Sequence, residues 1–448
     1  MPLPPGPGKL SAFQTYRWVT DPFEMLEEYQ SRFGDAFTIR MPVMAGPMVI
    51  VSDPEVVKAV FALGSDEGHA GKANFVLKPF LGEHSLLLLD GAEHLRQRKM
   101  MLPAFHGERM SAYGRAMLDL AHDSIDRWPV GQRFGVHRPM QSITLEVIIR
   151  TVFGIAEGLR FAELADMLTR ALDAGTWPGL LFPVLQRDLG RLSPWGRFLY
   201  FGGRASEILR EEIRRGRKQG TAGRTDVLAM MLDARDEAGR EMTEDEVHDE
   251  LMTLLTAGHE TSATALAWAL RWILPDAALV GRLRGEIATA EGDPQRIAKL
   301  ELLDATVKES LRLQPVIPMV GRVLQQPMSF GRLDLPAGAV IGPSIYLVHR
   351  RASLYPEPAT FRPERFLSFK PAPWEWLPFG GGLRRCIGAA FAVYEMKMVL
   401  AAMLPRVDAR LATDDVRAKR RAVTVTPSGG LPIVVTARRS RQVCARAA

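Results

Sequence analysis

One segment constrains the fold more than any other: residues 243–274 have the pattern of a single helix. At about 30 residues it is far longer than an average helix. Thr243 and Glu246 have the spacing of a capping box at its start, and Pro275 cannot continue it. We therefore expect a buried helix that crosses the whole molecule.

The composition excludes several classes of protein. The chain has 448 residues, of which 47% are hydrophobic and 24% are charged, so disorder is excluded as its main state. A net charge of +6, without a basic stripe interleaved with aromatic residues, gives no reason to expect a nucleic-acid partner. The two cysteines, Cys386 and Cys444, are too few for a disulfide-rich secreted fold or a metal site built mainly from cysteine.

The sequence predicts neither a signal peptide nor a membrane anchor. The Pro-rich segment 1–9 has no basic stretch followed by an apolar run. The longest apolar stretch, 251–274, carries His259, Glu260 and Arg271, which a lipid-facing span rarely accepts. We therefore expect a cytoplasmic protein.

The remaining pattern predicts a mainly α-helical fold with small β-sheets, an α+β class. Helices are predicted at residues 53–63, 91–102, 108–127, 140–152, 160–174, 197–215, 226–234, 277–290, 299–313 and 389–404. Strands are predicted at 36–40, 47–51, 321–324 and 340–345, with a hairpin over 422–436 that turns at 427–430. Segment 176–195 is rich in Trp, Leu, Phe and Pro, and is interpreted equally well as a buried loop or as an apolar lid over a ligand pocket.

The loop 379–388, with the sequence FGGGLRRCIG, brings one cysteine to the start of an apolar helix. A thiol at a helix N-terminus is stabilised as the thiolate. Gly382 and Gly388 allow the backbone to approach a large flat group, and Arg384 adds a permanent cation. This combination suits a thiolate ligand of haem iron, with Arg384 pairing a propionate. Two alternatives stay open: an inert buried cysteine, and a phosphate-binding loop, which would lack the lysine of a P-loop.

The pattern Phe-x-x-Gly-x-Arg-x-Cys-x-Gly in this loop resembles the haem-ligand loop of the cytochrome P450 family. Three further motifs resemble family motifs in the family's order: AGHET at 257–261, ESLR at 309–312 and FRPERF at 361–366. The similarity covers essentially the whole chain. It implies the cytochrome P450 fold, in which the long central helix and a second buried helix, 389–404, enclose haem b. It also implies one haem domain over 1–448, with the Pro-rich segment 1–9 and a basic, flexible tail at 437–448.

The resemblance also implies roles for individual residues. Cys386 is the axial ligand of the haem iron. The other cofactor-binding residues are His94, Arg98, Arg322, Arg384, Phe379 and Gly258, of which the first four bind the propionates. Glu309, Arg312 and Arg365 form a structural charge network behind the loop.

In the long helix, Thr261 is the alcohol and Glu260 the acid of a proton relay toward dioxygen. A locally opened turn that holds water is expected at this motif. The reason is that a regular helix interior is disfavoured by the combination of Gly258, Glu260, Thr261 and Ser262.

These features predict a haem-thiolate monooxygenase that uses dioxygen and two electrons to hydroxylate or epoxidise a lipophilic small molecule. Fatty acids, terpenoids, steroids and polyketides all qualify, and Lys72 or Lys78 is a candidate partner for a carboxylate. The electrons come from a ferredoxin or flavodoxin with its NAD(P)H reductase. A basic patch of Arg96, Lys99, Arg385 and Lys397 would dock that partner, although scattered solvated charges explain the same residues almost as well. We expect a monomer.

Three alternatives remain. One is a haem-thiolate peroxygenase or isomerase, and another is a non-enzymatic haem sensor. The third is a cysteine hydrolase that uses Cys386 with a histidine and binds no haem.

Overall fold

The computed structural model describes residues 2–8, 11–41, 46–105, 109–154, 159–177 and 185–441. The expectations for Met1, for the centre of segment 176–195 and for most of the basic tail, including Cys444, lie outside the described residues.

Helices dominate the described ranges. In chain order they are α1 (Ser11–Thr20), α2 (Pro22–Phe33), α3 (Pro54–Phe61), α4 (Ala70–Ala73), α5 (Lys78–Leu81), α6 (Gly91–Met101), α7 (Arg109–Asp126), α8 (His137–Phe153), α9 (Leu159–Gly175), α10 (Pro194–Gln219), α11 (Val227–Asp233), α12 (Glu244–Ile273), α13 (Ala277–Ala288), α14 (Pro294–Ile297), α15 (Glu301–Leu313), α16 (Ile345–His349), α17 (Arg365–Ser368) and α18 (Ala389–Met403).

The strands are short and lie mainly at the two ends of the chain. They are β1 (Ala36–Ile39), β2 (Met48–Val51), β3 (Gly68–His69), β4 (Arg133–Gly135), β5 (Arg322–Leu324), β6 (Met328–Phe330), β7 (Leu333–Leu335), β8 (Val340–Pro343), β9 (Val407–Leu411), β10 (Ala418–Arg421), β11 (Thr424–Pro427) and β12 (Pro432–Arg438). A five-stranded sheet has the order β1-β2-β8-β5-β3, in which β2 and β8 are parallel. The predicted α+β class is therefore confirmed.

The long helix α12 organises the structure. Thr243 Oγ1 accepts from the Glu246 N–H at 3.2 Å and the Glu246 carboxylate accepts from the Thr243 N–H at 2.7 Å, so the capping box is confirmed. Most of its second half is buried, and it packs against α8, α10, α15, α18 and β11. The apolar helix α18 is also mostly buried.

The predicted hairpin over 422–436 is wrong. The turn at Ser428–Gly430 exists, but the strands on either side of it belong to different sheets. Strand β11 pairs back onto β10 through Arg421 and Thr424, whereas β12 pairs with β9 and β4. The chain changes sheet because Gly429, Gly430 and Leu431 all have positive φ, which redirects the backbone.

Among the described residues, no single helix is both long and apolar enough to span a membrane. The pair α12 and α13 satisfies the length and composition together, but the two helices meet at 119°.

Candidate active site

The loop that carries Cys386 is anchored at both ends. The Cys386 N–H donates to Phe379 O at 2.9 Å, and α18 begins three residues later at Ala389. At Gly382, φ is +63°, and a Cβ there would lie 1.9 Å from Phe61 O. Glycine is therefore required at this position both for the backbone conformation and for the close contact with the end of α3.

A buried ionic network supports the chain segment before this loop. Both guanidinium nitrogens of Arg312 that face Glu309 lie within 2.8 Å of its carboxylate, and Arg365 Nε donates to the same carboxylate at 2.9 Å. The predicted network of Glu309, Arg312 and Arg365 is thus present in the structure. His349 is fully buried and accepts from the Leu377 N–H at 2.7 Å, which fixes the entry to the loop.

The four predicted propionate ligands lie close together. His94, Arg322 and Arg384 line one small cavity with Phe61 and Gly91. Arg98 lies one turn after His94 on α6, and its guanidinium donates to Arg385 O at 2.7 Å.

The electrostatics of these four residues are those of a crowded cationic cluster. Burial lowers the pKa of His94 to about 3, with further contributions from Arg384, Arg98 and Arg322. Burial likewise lowers the pKa of Arg322 and of Arg384 to about 10. Asp90 forms an ion pair with Arg384 and leaves the other two guanidinium groups without a carboxylate in the described contacts.

On α12, Thr261 and Glu260 point to different neighbours. The Thr261 hydroxyl donates to Ala257 O at 2.6 Å. The Glu260 carboxylate accepts from Gln141 Nε2 at 2.6 Å, and it lies 3.7 Å from His137 Nε2 and 3.4 Å from Arg421 Nε. Burial raises the pKa of Glu260, which Arg421 and Gln141 oppose.

The helix is continuous through this motif, so the expected opened turn is not formed. Gly258 serves close packing, because a Cβ there would lie 3.3 Å from Ile148 on α8. Thr144 of α8 donates to His259 O at 2.9 Å and joins the same two helices.

Comparison with known proteins decides the family. The family model for cytochrome P450 matches residues 2–431. This chain belongs to the cytochrome P450 family.

Relatives and solved structures agree with that assignment. The P450 is 40% identical over 442 residues to putative cytochrome P450 135B1 of Mycobacterium tuberculosis, covering 98% of this chain and 92% of that relative. It is 34% identical over 439 residues to putative cytochrome P450 138 of the same species, covering 97% of each chain. It superposes on retinoic-acid-bound cyanobacterial CYP120A1 with a TM-score of 0.84 at 24% identity, covering 98% of this chain and 100% of that one. The cytochrome P450DA heme domain gives a TM-score of 0.83 at 22% identity, covering 98% and 99%. The predicted fold is confirmed, and the protein is an oxidoreductase of the cytochrome P450 monooxygenase class.

The donor set of this P450 fits a haem. Three guanidinium groups lie close together, those of Arg98, Arg322 and Arg384. Asp90 pairs with Arg384. Buried cations require compensating anions. The two propionates of a haem would supply that charge, and Cys386 is the thiol beside the same cluster.

Cys386 combines two properties that suit a ligand. Its side chain has accessible surface, yet the surrounding protein raises the pKa of its thiol. The Gly388 N–H, Arg98 and Arg385 oppose that rise. Burial therefore disfavours the free thiolate, whereas coordination to a metal ion would deprotonate the thiol.

The sequence interpretation missed three partners of Glu260. Gln141 and His137 lie on α8, and Arg421 lies at the tip of the β10–β11 hairpin. Each is more than a hundred residues away along the chain, and their contacts exist only through packing of α8 and the hairpin against α12. No sequence motif could have identified them.

The predicted basic patch is largely wrong. Arg96 pairs with Asp236 and Glu246, and Lys99 pairs with Glu237. Lys397 is buried against Asp304. These lysines and arginines are neutralised within the chain, because the acidic residues of neighbouring elements pack against them.

Arg385 is exposed, and no acidic partner for it occurs in the part of the chain that the structure describes. It lies at a groove beside the Cys386 loop. The groove is lined by Ala298, Lys308, Trp376, Phe379, Arg385, Ala389, Ala390, Val393, Tyr394 and Lys397.

The segment around Phe80 packs against α12. Thr253 Oγ1 donates to Ser85 Oγ at 2.7 Å, and the Phe80 ring lies 4.4 Å from that of Phe198 on α10. In the described part of segment 176–195, Leu189 is 64% and Leu192 is 93% exposed, so the buried-loop interpretation is wrong there.

Proposed function

We propose that this P450 binds haem b through Cys386 and inserts one oxygen atom from dioxygen into a C–H or C=C bond of a lipophilic small molecule. The observation that carries the proposal is the accessible thiol of Cys386 beside a buried cluster with excess positive charge. A cysteine hydrolase would need a histidine at the thiol. His94 belongs to the adjacent cationic cluster and is buried, and its pKa is lowered to about 3. An imidazole with so low a pKa is a poor general base at neutral pH, so it does not suit a hydrolase.

The residues around the Cys386 loop would hold the haem. Haem, when bound, would supply the binding and reductive activation of dioxygen. Cys386 would hold the iron, while Arg98, Arg322, Arg384 and neutral His94 would hold the propionates by charge and hydrogen bonds.

Glu260 and Thr261 of α12 would deliver protons to the site. The raised pKa of Glu260 lets this carboxyl keep its proton closer to neutral pH than an exposed glutamate would. Arg421 contacts Glu260 and also donates to the partly exposed Asp173 at 2.8 Å, which connects the acid to the surface. Thr261, the next residue, would supply the hydroxyl at the other end of that relay, with water between the two side chains, because they contact different neighbours in the structure.

Electrons would come from a separate ferredoxin or flavodoxin served by an NAD(P)H reductase. The apolar groove beside the Cys386 loop, with Arg385 at its edge, is the surface of this chain that suits such a docking. Because most of the neighbouring cations are already paired, we expect apolar contact to contribute more than a wide basic patch.

The lipophilic substrate would contact the segment around Phe80, whose ring packs against Phe198 beside Trp195. Apolar surroundings of this kind favour fatty acids, terpenoids, steroids or polyketides. The described ends of segment 176–195 are consistent with a lid.

The first test is the absorption spectrum of the dithionite-reduced protein with carbon monoxide. We expect a strongly red-shifted Soret band that Cys386→Ala abolishes and Cys444→Ala leaves unchanged. Haem b should be extractable with acidified butanone. Protein that binds no haem, and whose Cys386 reacts with thiol reagents, would instead support the hydrolase. Product formation with peroxide but without dioxygen and a reductase would support a peroxygenase.

A further inference from the structure

One carboxyl oxygen of Glu260 is buried without a hydrogen bond. Gln141 Nε2 donates to Oε2 at 2.6 Å, so Oε2 is the accepting oxygen of this carboxyl. When the acid is neutral, its hydrogen therefore lies on Oε1, which has no hydrogen-bond partner among the described residues. A buried polar atom without a partner is costly and therefore rare. The hydrogen on Oε1 needs an acceptor within reach.

Two nitrogens lie near Oε1, and they differ in their hydrogen-bonding capacity. Arg421 Nε, at 3.4 Å, can only donate. His137 Nε2, at 3.7 Å, can accept when the neutral imidazole carries its hydrogen on Nδ1. Burial lowers the pKa of His137 to about 4, so its imidazole is neutral at pH 7. Among the described contacts of Glu260, His137 Nε2 is the one acceptor for the carboxyl hydrogen.

The fold brings His137 to this acid from a separate helix. His137 is the first residue of α8 and is 4% exposed, and Gln141 follows it by one turn on the same face. His137 Nε2 also lies 3.1 Å from Thr264 Oγ1, a hydroxyl that can either donate or accept. A side-chain movement of about 1 Å would bring Nε2 and Glu260 Oε1 within hydrogen-bond distance. His137 can therefore exchange one partner on α12 for the other.

The other charged or titratable groups that act on this pair are donors or already have partners. They are Arg138 on α8, Asp173 near the end of α9, His259 on α12 and Arg421 of the hairpin. Asp173 accepts from Arg138 at 3.0 Å and from Arg421 at 2.8 Å. His259 Nδ1 lies 3.0 Å from Leu255 O of its own helix.

We propose that His137 is a positioning residue for Glu260: its Nε2 accepts the hydrogen of the neutral carboxyl and holds the acid ready for proton delivery. The hydrogen stays bonded to Oε1, and no proton passes to the imidazole. This inference rests on the proposed function and deepens it, because it concerns the acid of the proposed relay. A hydrogen bond to the neutral form favours that form, whereas Arg421 favours the carboxylate. The two residues therefore act on Glu260 in opposite directions.

Infrared difference spectroscopy of the haem-loaded protein during a pH titration tests this role directly. The C=O stretching band of protonated Glu260 is the band that Glu260→Gln removes. His137→Leu should move the pH midpoint of this band lower by about 0.5 to 1 pH unit, because the neutral acid loses its acceptor. The band should also move to higher wavenumber. A change in burial alone would instead move the midpoint to higher pH.

Two matched variants separate the hydrogen bond from other effects of substitution. His137→Gln keeps an acceptor on the side chain and should retain most of the wild-type midpoint. His122→Leu makes the same change as His137→Leu on α7, where the imidazole contacts Arg406, and should leave the midpoint unchanged. The pH profile of product formation should move in the same direction as the midpoint of the infrared band.

Thr264→Val keeps the test decisive if His137→Leu fails to fold. This substitution removes the hydroxyl that competes for His137 Nε2 and keeps a similar shape. The imidazole is then free to accept from Glu260, so the midpoint should move to higher pH, opposite to the effect of His137→Leu.

A midpoint that His137→Leu leaves in place or raises would overturn this proposal, as would a midpoint that Thr264→Val does not raise. The same holds if wild-type protein shows no protonated Glu260 band at neutral pH. In each case a red-shifted carbon monoxide band would leave the proposed monooxygenase function intact. Loss of that carbon monoxide band in the wild type would instead contradict the proposed function itself.

Discussion

Arg421 Nε at the tip of the β10–β11 hairpin lies 3.4 Å from Glu260 Oε1 on the central helix. The two residues are 161 positions apart in the chain (421 − 260), and their contact joins the carboxyl-terminal part of the chain to the proposed proton relay. Burial raises the pKa of Glu260 and Arg421 opposes that rise, so this cation lowers the pH at which the carboxyl gives up its proton.

Arg421→Gln should therefore move the pH profile of turnover toward higher pH. Without the cation the Glu260 carboxylate is less stable, so its pKa rises and the proton is lost at a higher pH. The measurement is product formation rate against pH at saturating substrate. Arg417→Gln, an exposed arginine nearby, is the matched control and should keep the wild-type profile. A profile that stays in place, or one that moves to lower pH, would show that Arg421 does not act on Glu260.

Thr261→Ala should separate electron consumption from product formation. Among the described residues, the Thr261 hydroxyl bonds only to Ala257 O of its own helix, so its loss should change the free energy of unfolding by no more than about 1 kcal/mol. Reducing equivalents should then appear as peroxide, with a several-fold higher ratio of peroxide to product. Thr261→Ser keeps a hydroxyl and should stay close to the wild type. Full coupling in the alanine variant would reject the relay.

Gly382→Ala should destabilise the loop that carries Cys386. The new Cβ would meet Phe61 O at 1.9 Å, and φ at this position is +63°. We expect a loss of about 1–3 kcal/mol in the free energy of unfolding, together with weaker haem retention. Urea unfolding and the haem-to-protein ratio measure the two effects. Gly281→Ala is the control, because that glycine lies within α13 with no atom near its Cβ position and should be neutral or slightly stabilising.

Local signals in the sequence were enough to predict much of the architecture. The capping box at Thr243 and the breaker Pro275 fix the ends of α12 within a residue. Arg312 follows Glu309 at helical spacing, so their pairing could be predicted without any tertiary information. The loop around Cys386 is also local, since its glycines, its arginine and its thiol all lie within ten residues.

Contacts between distant segments could not be predicted in this way. The segments on either side of Ser428–Gly430 have the sequence pattern of a hairpin. Strand pairing, however, depends on which strand edges are available in the folded chain, and β11 and β12 pair with other strands. The neutralisation of Arg96 by Asp236 and Glu246 depends on the packing of α6 against the start of α12.

A buried carboxyl on α18 should make the stability of this P450 depend on pH. Glu395 is 1% exposed, and burial raises its pKa from 4.5 to about 8, while Ser262 of α12 lowers it slightly. Neither carboxyl oxygen has a hydrogen bond of good geometry among the described residues, so the contact with Ser262 is a weak one. The side chain is therefore neutral in the folded protein at pH 7.

Between about pH 4.5 and about pH 8 the folded state holds this proton and the unfolded state releases it. The free energy of unfolding should fall as the pH rises through this window, by up to about 1.4 kcal/mol per pH unit from this group. Glu395→Gln has the same shape and no titration, so it should lack that slope and exceed the wild type in stability by an amount that grows toward pH 8. Urea unfolding at pH 5, 6, 7 and 8 measures the difference. Glu55→Gln, at an exposed position, should follow the wild-type slope. Parallel curves for the wild type and Glu395→Gln would mean that Glu395 is ionised in the folded protein and has found a partner between α12 and α18.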